Sequence, residues 1–347
     1  MLAYPAARAT TGDAPRGPPV SLPLVDMAPL LDAGADEAAR ARSGREIDLA
    51  CRDTGFLLVT GHGIDPALRD DLERQSREFF ALPDRVKARI SMDRGGLAWR
   101  GWFPVGGELT SGRPDRKEGI YFGSELSAGH PRVAAGTPLH GPNLFPDEPA
   151  GLRHAVLRWI EQVTDVGQAL LGGIALGLGL EADWFARHLT ADPTVLFRVF
   201  HYPPGDTASW GVGEHTDYGL ITLLAQDHHG GLQVRSGERW VDVPADPYVF
   251  VVNIGDMLER MTRGGYRSNP HRVRNLSGAD RLSFPLFLDP SWDATVTPLP
   301  EAAFAGRPDD AARRWDGQSV HAWDGVYGDY LTAKVAKVFP SLAAEVR

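Results

Sequence analysis

Cysteine is almost absent. Cys51 stands alone in 347 residues, which excludes an intramolecular disulfide and any zinc site built from several cysteines. The thiol falls among apolar residues at helical spacing, where it reads as a small buried hydrophobe with no chemistry of its own. A reducing cytoplasm is the expected compartment. Long apolar runs are missing as well: none reaches the ~18 residues of a membrane span. Met1–Thr10 lacks the apolar centre of a signal peptide. Nor is there an excess of base. The 36 Lys and Arg against 45 Asp and Glu give a net charge of -9, and an acidic body repels polyanions. Neither nucleic acid nor a membrane is expected as a partner, and oligomeric state is not readable. A composition of 43% hydrophobic and 23% charged residues describes an ordinary globular chain with enough apolar material for a sizeable core.

Residues 1–19 carry Pro5, Pro15, Pro18 and Pro19 with few large apolar groups, and read as a flexible tail. Residues 20–347 read as a single domain, with a helical support region over about 20–190, a strand-rich core over about 194–290 and a C-terminal extension. Near the start, an alternating strand runs from Val20 to Asp26. Ser43 and Glu46 have capping-box spacing ahead of Ile47, Ala50 and Cys51, predicting a helix that ends at Gly55. Phe56 to Thr60 reads as a strand. Asp65-Pro66 opens a second helix that Pro83 stops, and Gly151 to Leu180 keeps helical phase although its glycines weaken the end. From Thr194 the period changes. Val195 to Tyr202, Leu220 to Leu224, Leu232 to Arg235, Trp240 to Val243, Tyr248 to Asn253, His271 to Arg274 and Leu282 to Leu288 read as short strands, with Ser236-Gly237 as a hairpin turn. Helices first and closely spaced strands later, without a βα repeat, predict a mainly β fold with flanking α-helices around a jelly-roll, cupin-like core.

Chemistry concentrates in the strand-rich half. In Glu214-His215-Thr216-Asp217-Tyr218, period-two geometry puts His215 and Asp217 on one face of an extended segment. His271, on another strand, supplies a third donor. Two imidazoles and one carboxylate with open positions left over are the ligand set of non-haem Fe(II) oxygenases. Alone, His-x-Asp reads first as an ordinary solvated pair, and it is the residues that follow which favour the metal. Arg281 and Ser283 follow, again two residues apart, and offer a guanidinium fork and a hydroxyl to a carboxylate. Tyr202, at the end of the preceding strand, is either a further donor or a core tyrosine. The remaining histidines have no partner at ligand spacing: His228-His229 reads as a turn, and His62 as a loop residue satisfying backbone groups. Arg260, Arg263, Arg267, Arg272 and Arg274 read as a solvated basic face or a guide for an anion.

At these positions the chain resembles the isopenicillin N synthase-like branch of the Fe(II)/2-oxoglutarate-dependent dioxygenases. The matching pieces are Gly61-His62-Gly63, Phe79-Phe80-Ala81-Leu82-Pro83, Tyr202-Pro203, His215-Thr216-Asp217, Gly231-Leu232-Gln233-Val234, Asn253-Ile254-Gly255-Asp256, His271-Arg272-Val273 and Arg281-Leu282-Ser283, in the family's order. The resemblance implies a double-stranded β-helix, iron(II) on His215, Asp217 and His271, and 2-oxoglutarate held by Arg281, Ser283 and Tyr202. It further implies O2 as co-substrate and oxidation of a C–H bond of a small molecule, hydroxylation by default, with release of succinate and CO2. Pocket walls are expected from the segment Trp99 to Phe103, Glu108, Arg198, Tyr218 and Phe287. Arg198 lies four residues before Tyr202 and shares its face. Two rival readings stay open: a 2-oxoglutarate-independent Fe(II) oxidase of the same fold, and a non-catalytic module binding a small carboxylate. A zinc hydrolase would leave Arg281 and Ser283 unexplained.

Overall fold

A computed structural model describes residues 22–205, 208–299, 311, 314 and 317–338. The tail expected over residues 1–19 lies outside them. The strands are β1 (Leu24–Asp26), β2 (Phe56–Thr60), β3 (Gly101–Phe103), β4 (Glu118–Gly123), β5 (Pro193–Tyr202), β6 (Val212–His215), β7 (Ile221–Gln226), β8 (Leu232–Ser236), β9 (Arg239–Asp242), β10 (Phe250–Ile254), β11 (His271–Val273) and β12 (Arg281–Ser291). They form a major sheet in the order β1-β2-β10-β7-β12-β5-β4-β3 and a minor sheet in the order β6-β11-β8-β9. Sequence neighbours are scattered across both sheets, the crossing pattern of the expected jelly roll, or double-stranded β-helix. Every strand anticipated from residue 194 onward is present, with its ends moved by a few residues at most. Strands β3, β4 and β6 were not among those expected.

Three longer helices back the major sheet: α1 (Glu37–Asp53), α2 (Pro66–Phe80) and α3 (Leu152–Gly177). The capping box expected at Ser43 is not used. Asp36 caps α1 by accepting the Ala39 N–H at 2.6 Å, and Ser43, inside the helix, donates to the Asp26 carbonyl. Asp65 caps α2 as expected. The glycines of α3 have a packing reason. A Cβ on Gly44 of α1 would stand 2.9 Å from Leu176 Cβ and 3.0 Å from the Gly173 carbonyl, and one on Gly177 would stand 2.6 Å from the Gly44 carbonyl. The two helices cross where Gly44, Gly173 and Gly177 let their backbones approach closely. A short helix, α4 (Asp256–Met261), follows β10, and α5 (Tyr327–Val338) packs its buried Leu331 and Val335 toward the barrel mouth. Cys51 is fully buried in α1, and that burial pushes its thiol pKa far up, in keeping with an inert core residue.

The pleat sorts side chains by parity. On β5, Leu196, Arg198, Phe200 and Tyr202 share one face; on β12, Arg281, Ser283, Phe287 and Asp289 do. Arg281 is in register with Tyr202, and Ser283 with Phe200. These inward positions form the walls of the space between the sheets.

Candidate active site

The minor sheet brings two imidazoles together directly, because His215 at the end of β6 is the register partner of His271 at the start of β11. Their ring centroids are 4.2 Å apart. Asp217 lies two residues beyond β6, in the turn that leads to β7, and its Oδ1 stands 3.8 Å from His215 Nε2 and 3.7 Å from His271 Nε2. One ligand atom from each of the three lies within 4.8 Å of the other two, and they are the only such cluster among the described residues.

Each member is oriented by a neighbour. His215 Nδ1 faces the Gly213 carbonyl at 2.8 Å, and His271 Nδ1 faces the Asn269 carbonyl at 3.5 Å. A proton on Nδ1 satisfies both, which leaves the Nε2 lone pairs directed at Asp217. Asp217 Oδ2 accepts from Asn253 Nδ2 at 2.7 Å and from Thr222 Oγ1 at 2.5 Å, so Oδ1 remains for the imidazoles. Burial alone would raise the Asp217 carboxyl, but His271, His215 and the two hydrogen bonds hold it below its ordinary value. Burial and the adjacent His215 push His271 down to about 4, the neutral form a metal ligand requires.

Arg281 is fully buried. Its Nε donates to the Gly230 carbonyl at 3.0 Å and its Nη2 reaches Gln226 Oε1 at 3.4 Å, whereas Nη1 has no partner. The guanidinium lies 4.5 Å from the centre of the Tyr202 ring, and the Tyr202 hydroxyl meets Ser283 Oγ at 3.3 Å. No carboxylate pairs with Arg281 among the described residues. A buried cation left in this state is costly, and an anion that brought its own carboxylate would relieve it.

A cavity of about 740 Å³, counting its open mouth, reaches His215, Thr216 and Asp217. Glu108, Arg198, Tyr218 and Phe287 all line it, as expected, whereas Arg281, Tyr202 and Ser283 do not. The segment Trp99 to Phe103 does not line it either. Trp99 and Trp102 are core, and Phe103 packs edge-on against Tyr121 and Phe200. Glu108 is already engaged, forming an ion pair with Lys117 at 2.8 Å and accepting from the Tyr121 hydroxyl. The run of arginines is not a solvated face: Arg260 is buried on the carbonyls of Val296, Val320 and His321, and Arg272 lies between Trp210 and Trp240. His62 bonds the backbone of Tyr248 and Ile64, and His229 faces Asp227, so neither points to the metal cluster. Sequence reasoning missed Lys117, Tyr121, Asp289 and the α5 residues Leu331, Val335 and Val338 of the cavity wall, together with Asn253 and Thr222 behind Asp217. Asp289 was one inward position beyond the expected end of β12; the α5 residues carried no comparable signal.

Residues 22–148 match the family described as non-haem dioxygenase in morphine synthesis N-terminal, and residues 193–290 match the 2OG-Fe(II) oxygenase superfamily. A Dictyostelium discoideum protein named as a probable iron/ascorbate oxidoreductase is 44% identical over 94% of this chain and 96% of its own length. The 1-aminocyclopropane-1-carboxylate oxidase of Dictyostelium discoideum is 35% identical over 92% of this chain and 95% of its own. Among solved structures, a full-length Neurospora crassa protein in complex with alpha-KG and thymine superimposes with a TM-score of 0.74 at 27% identity, covering 91% of this chain and 96% of that one. Two imidazoles, an oriented carboxylate and a buried guanidinium thus occur in a chain that belongs to the 2OG-Fe(II) oxygenase superfamily, the non-haem dioxygenases that use iron(II), 2-oxoglutarate and O2.

Proposed function

We propose that His215, Asp217 and His271 bind the iron, that Arg281 with Tyr202 and Ser283 binds 2-oxoglutarate, and that the cavity lined by Arg198, Tyr218 and Phe287 receives a small organic molecule for hydroxylation. The observation that carries this reading is the pairing of an oriented His-Asp-His cluster with a fully buried guanidinium whose Nη1 is unpartnered. The donor set fits a divalent iron, since all three side chains present their free donor atoms toward one point and leave open positions. Bound iron supplies the activation of O2 that couples decarboxylation of 2-oxoglutarate to oxidation of the substrate C–H bond. The balance is 2-oxoglutarate, O2 and R–H giving succinate, CO2 and R–OH.

This chain's residues supply position and exclusion of water. Gly213 and Asn269 hold the imidazole tautomers, and Asn253 and Thr222 hold the carboxylate rotamer. Arg281 takes the distal carboxylate of the co-substrate in a dry site where a charge-assisted bond is strong. Leu331, Val335 and Phe287 turn apolar surface to the substrate and keep bulk water from the reacting bond. One relative is named for 1-aminocyclopropane-1-carboxylate and another was solved with thymine, which supports a small-molecule substrate. One continuous buried cluster from Leu22 to Val338 supports reading the chain beyond its tail as a single domain, and the lone buried Cys51 supports a cytoplasmic location. Among the described residues no helix is long and apolar enough to cross a membrane.

Anaerobic titration of the metal-free protein with Fe(II) tests the reading. One tight site is expected in the wild type, weakened at least tenfold in His215→Ala, Asp217→Ala and His271→Ala. An unchanged Fe(II) affinity in any of these variants removes that residue from the set.

A further inference from the structure

On the cavity wall, Arg198 is held by aromatic rings rather than by a carboxylate in direct contact. Its guanidinium lies 3.5 Å from the centre of the Tyr121 ring and 5.1 Å from that of Phe287, and it makes no hydrogen bond or ion pair among the described residues. Stacking of this kind holds the plane of the fork while leaving its N–H edge free for a planar anion. The other cation on the wall, Lys117, is buried between two carboxylates, Glu108 and Asp115. Asp289, buried on the same wall, accepts from the Tyr327 hydroxyl and attracts Arg198 without reaching it. Arg198 acts through space on the Glu108 and Asp289 carboxyls but pairs with neither, so its N–H edge stays open to a ligand.

We propose that Arg198 anchors a carboxylate of the oxidised substrate, which is a compact organic monoanion with an apolar body. This rests on the reading given above, that the cavity beside His215 and Asp217 is the substrate site. Three features define the class. Arg198 lines the cavity and Arg281 does not, so the two guanidinium groups address different volumes and different anions. Along β5, four residues separate Arg198 from Tyr202, roughly 13 Å of strand. A second negative charge on the ligand would meet Glu108 and, once it is ionised, Asp289, which disfavours dicarboxylates and phosphate esters. Elsewhere on the cavity wall, Leu331, Val335 and Val338 of α5 offer only hydrocarbon, which suits an alkyl or aryl body.

The test compares matched ligands on the Fe(II)-loaded protein under argon, with and without 2-oxoglutarate. The probes are straight-chain and aryl monocarboxylic acids of four to ten carbons, each paired with its primary amide, and the corresponding dicarboxylic acids and phosphate monoesters. Calorimetry should give at least one acid that binds tenfold or more tightly than its amide, diacid and phosphate counterparts. In Arg198→Met that preference should collapse to within twofold, while the Kd for 2-oxoglutarate stays within twofold of wild type and the melting temperature holds. No preference for acid over amide in the wild type overturns the proposal, whether or not the variant folds. A preference for the phosphate ester overturns the ligand class. Arg198→Met that loses 2-oxoglutarate affinity assigns the residue to the co-substrate, and one that loses only stability makes it structural; both overturn the proposal. Failure of the underlying reading has a different signature: wild-type protein that does not bind 2-oxoglutarate, with acid and amide still distinguishable on Fe(II)-loaded protein.

Discussion

Arg281 lies opposite Tyr202 in the ladder between β12 and β5, with its guanidinium 4.5 Å from the centre of the Tyr202 ring and one nitrogen, Nη1, left without a partner. The ring covers one face of the cation, and backbone carbonyls hold its Nε. What is left is a directed donor at the base of the barrel, beside the Tyr202 and Ser283 hydroxyls.

Replacing that fork should cost co-substrate affinity in proportion to the geometry lost. Arg281→Lys retains charge but not the planar donor pair, and should raise the Michaelis constant for 2-oxoglutarate about tenfold; Arg281→Met should raise it about a hundredfold, matching a charge-assisted bond worth roughly 1.5–3 kcal/mol. Steady-state succinate release against 2-oxoglutarate concentration checks this. Equal constants in all three proteins would remove Arg281 from the co-substrate site.

Asn253 and Thr222 touch only the far oxygen of Asp217. Asn253→Ala and Thr222→Val should each weaken Fe(II) binding roughly 10- to 100-fold, the usual effect of removing a group that orients a ligand. The melting temperature of the metal-free protein should change by only a few degrees. Unaltered Fe(II) affinity would mean that the carboxylate orients itself.

Asp289 makes a pH prediction. Burial pushes its carboxyl up to about 7, opposed by the Tyr327 hydroxyl and Arg198 and reinforced by Asp217. A folded-state value above the unfolded one means that the folded protein binds the extra proton. Its stabilising contribution is therefore complete below the ordinary aspartate range and is lost as pH rises through about 7. Asp289→Asn removes this titration. From pH 5.5 to 8.5 the wild type should lose stability relative to the variant, by a few kcal/mol at most. Parallel melting curves across that range would show that Asp289 is ionised throughout.

The crossing of α1 and α3 leaves no room for a methyl group. Gly44→Ala puts a carbon 2.9 Å from Leu176 Cβ and beside the Gly173 carbonyl, and should destabilise the protein by about 1–3 kcal/mol despite the better helix propensity of alanine. Chemical denaturation measures it. A more stable variant would mean that the helices can part at little cost.

Period two is strict in a strand and turn residues mark its ends, so the shared faces of Arg198 with Tyr202 and of Arg281 with Ser283 were legible, while the expectation that those faces turn to the site came from the family resemblance. The pair His215 and Asp217 was legible for the same reason, although Asp217 lies past the end of β6 and owes its position to Asn253 and Thr222 rather than to the pleat. Strand β4 was hidden: Glu118-Gly119-Ile120-Tyr121-Phe122-Gly123 is buried on both faces, so no polar alternation appears, and its charged Glu118 is satisfied by Lys87, Trp102 and His201 from elsewhere in the chain. Glu108 could be assigned to the cavity but not its engagement with Lys117, nine residues on and brought beside it by the fold. The contribution of α5 depends on where the C-terminal region returns over the barrel. Its apolar stripe shows that it packs, not against what.

Succinate formation measured together with O2 uptake tests the central claim most directly. Reconstituted with Fe(II) and given 2-oxoglutarate in air, the wild-type protein should release succinate and consume O2 in equal amounts. His215→Ala, Asp217→Ala and His271→Ala should do neither at the same Fe(II) concentration. Succinate release that is undiminished in these variants, or substrate oxidation at full rate in the wild type without 2-oxoglutarate, would contradict the account.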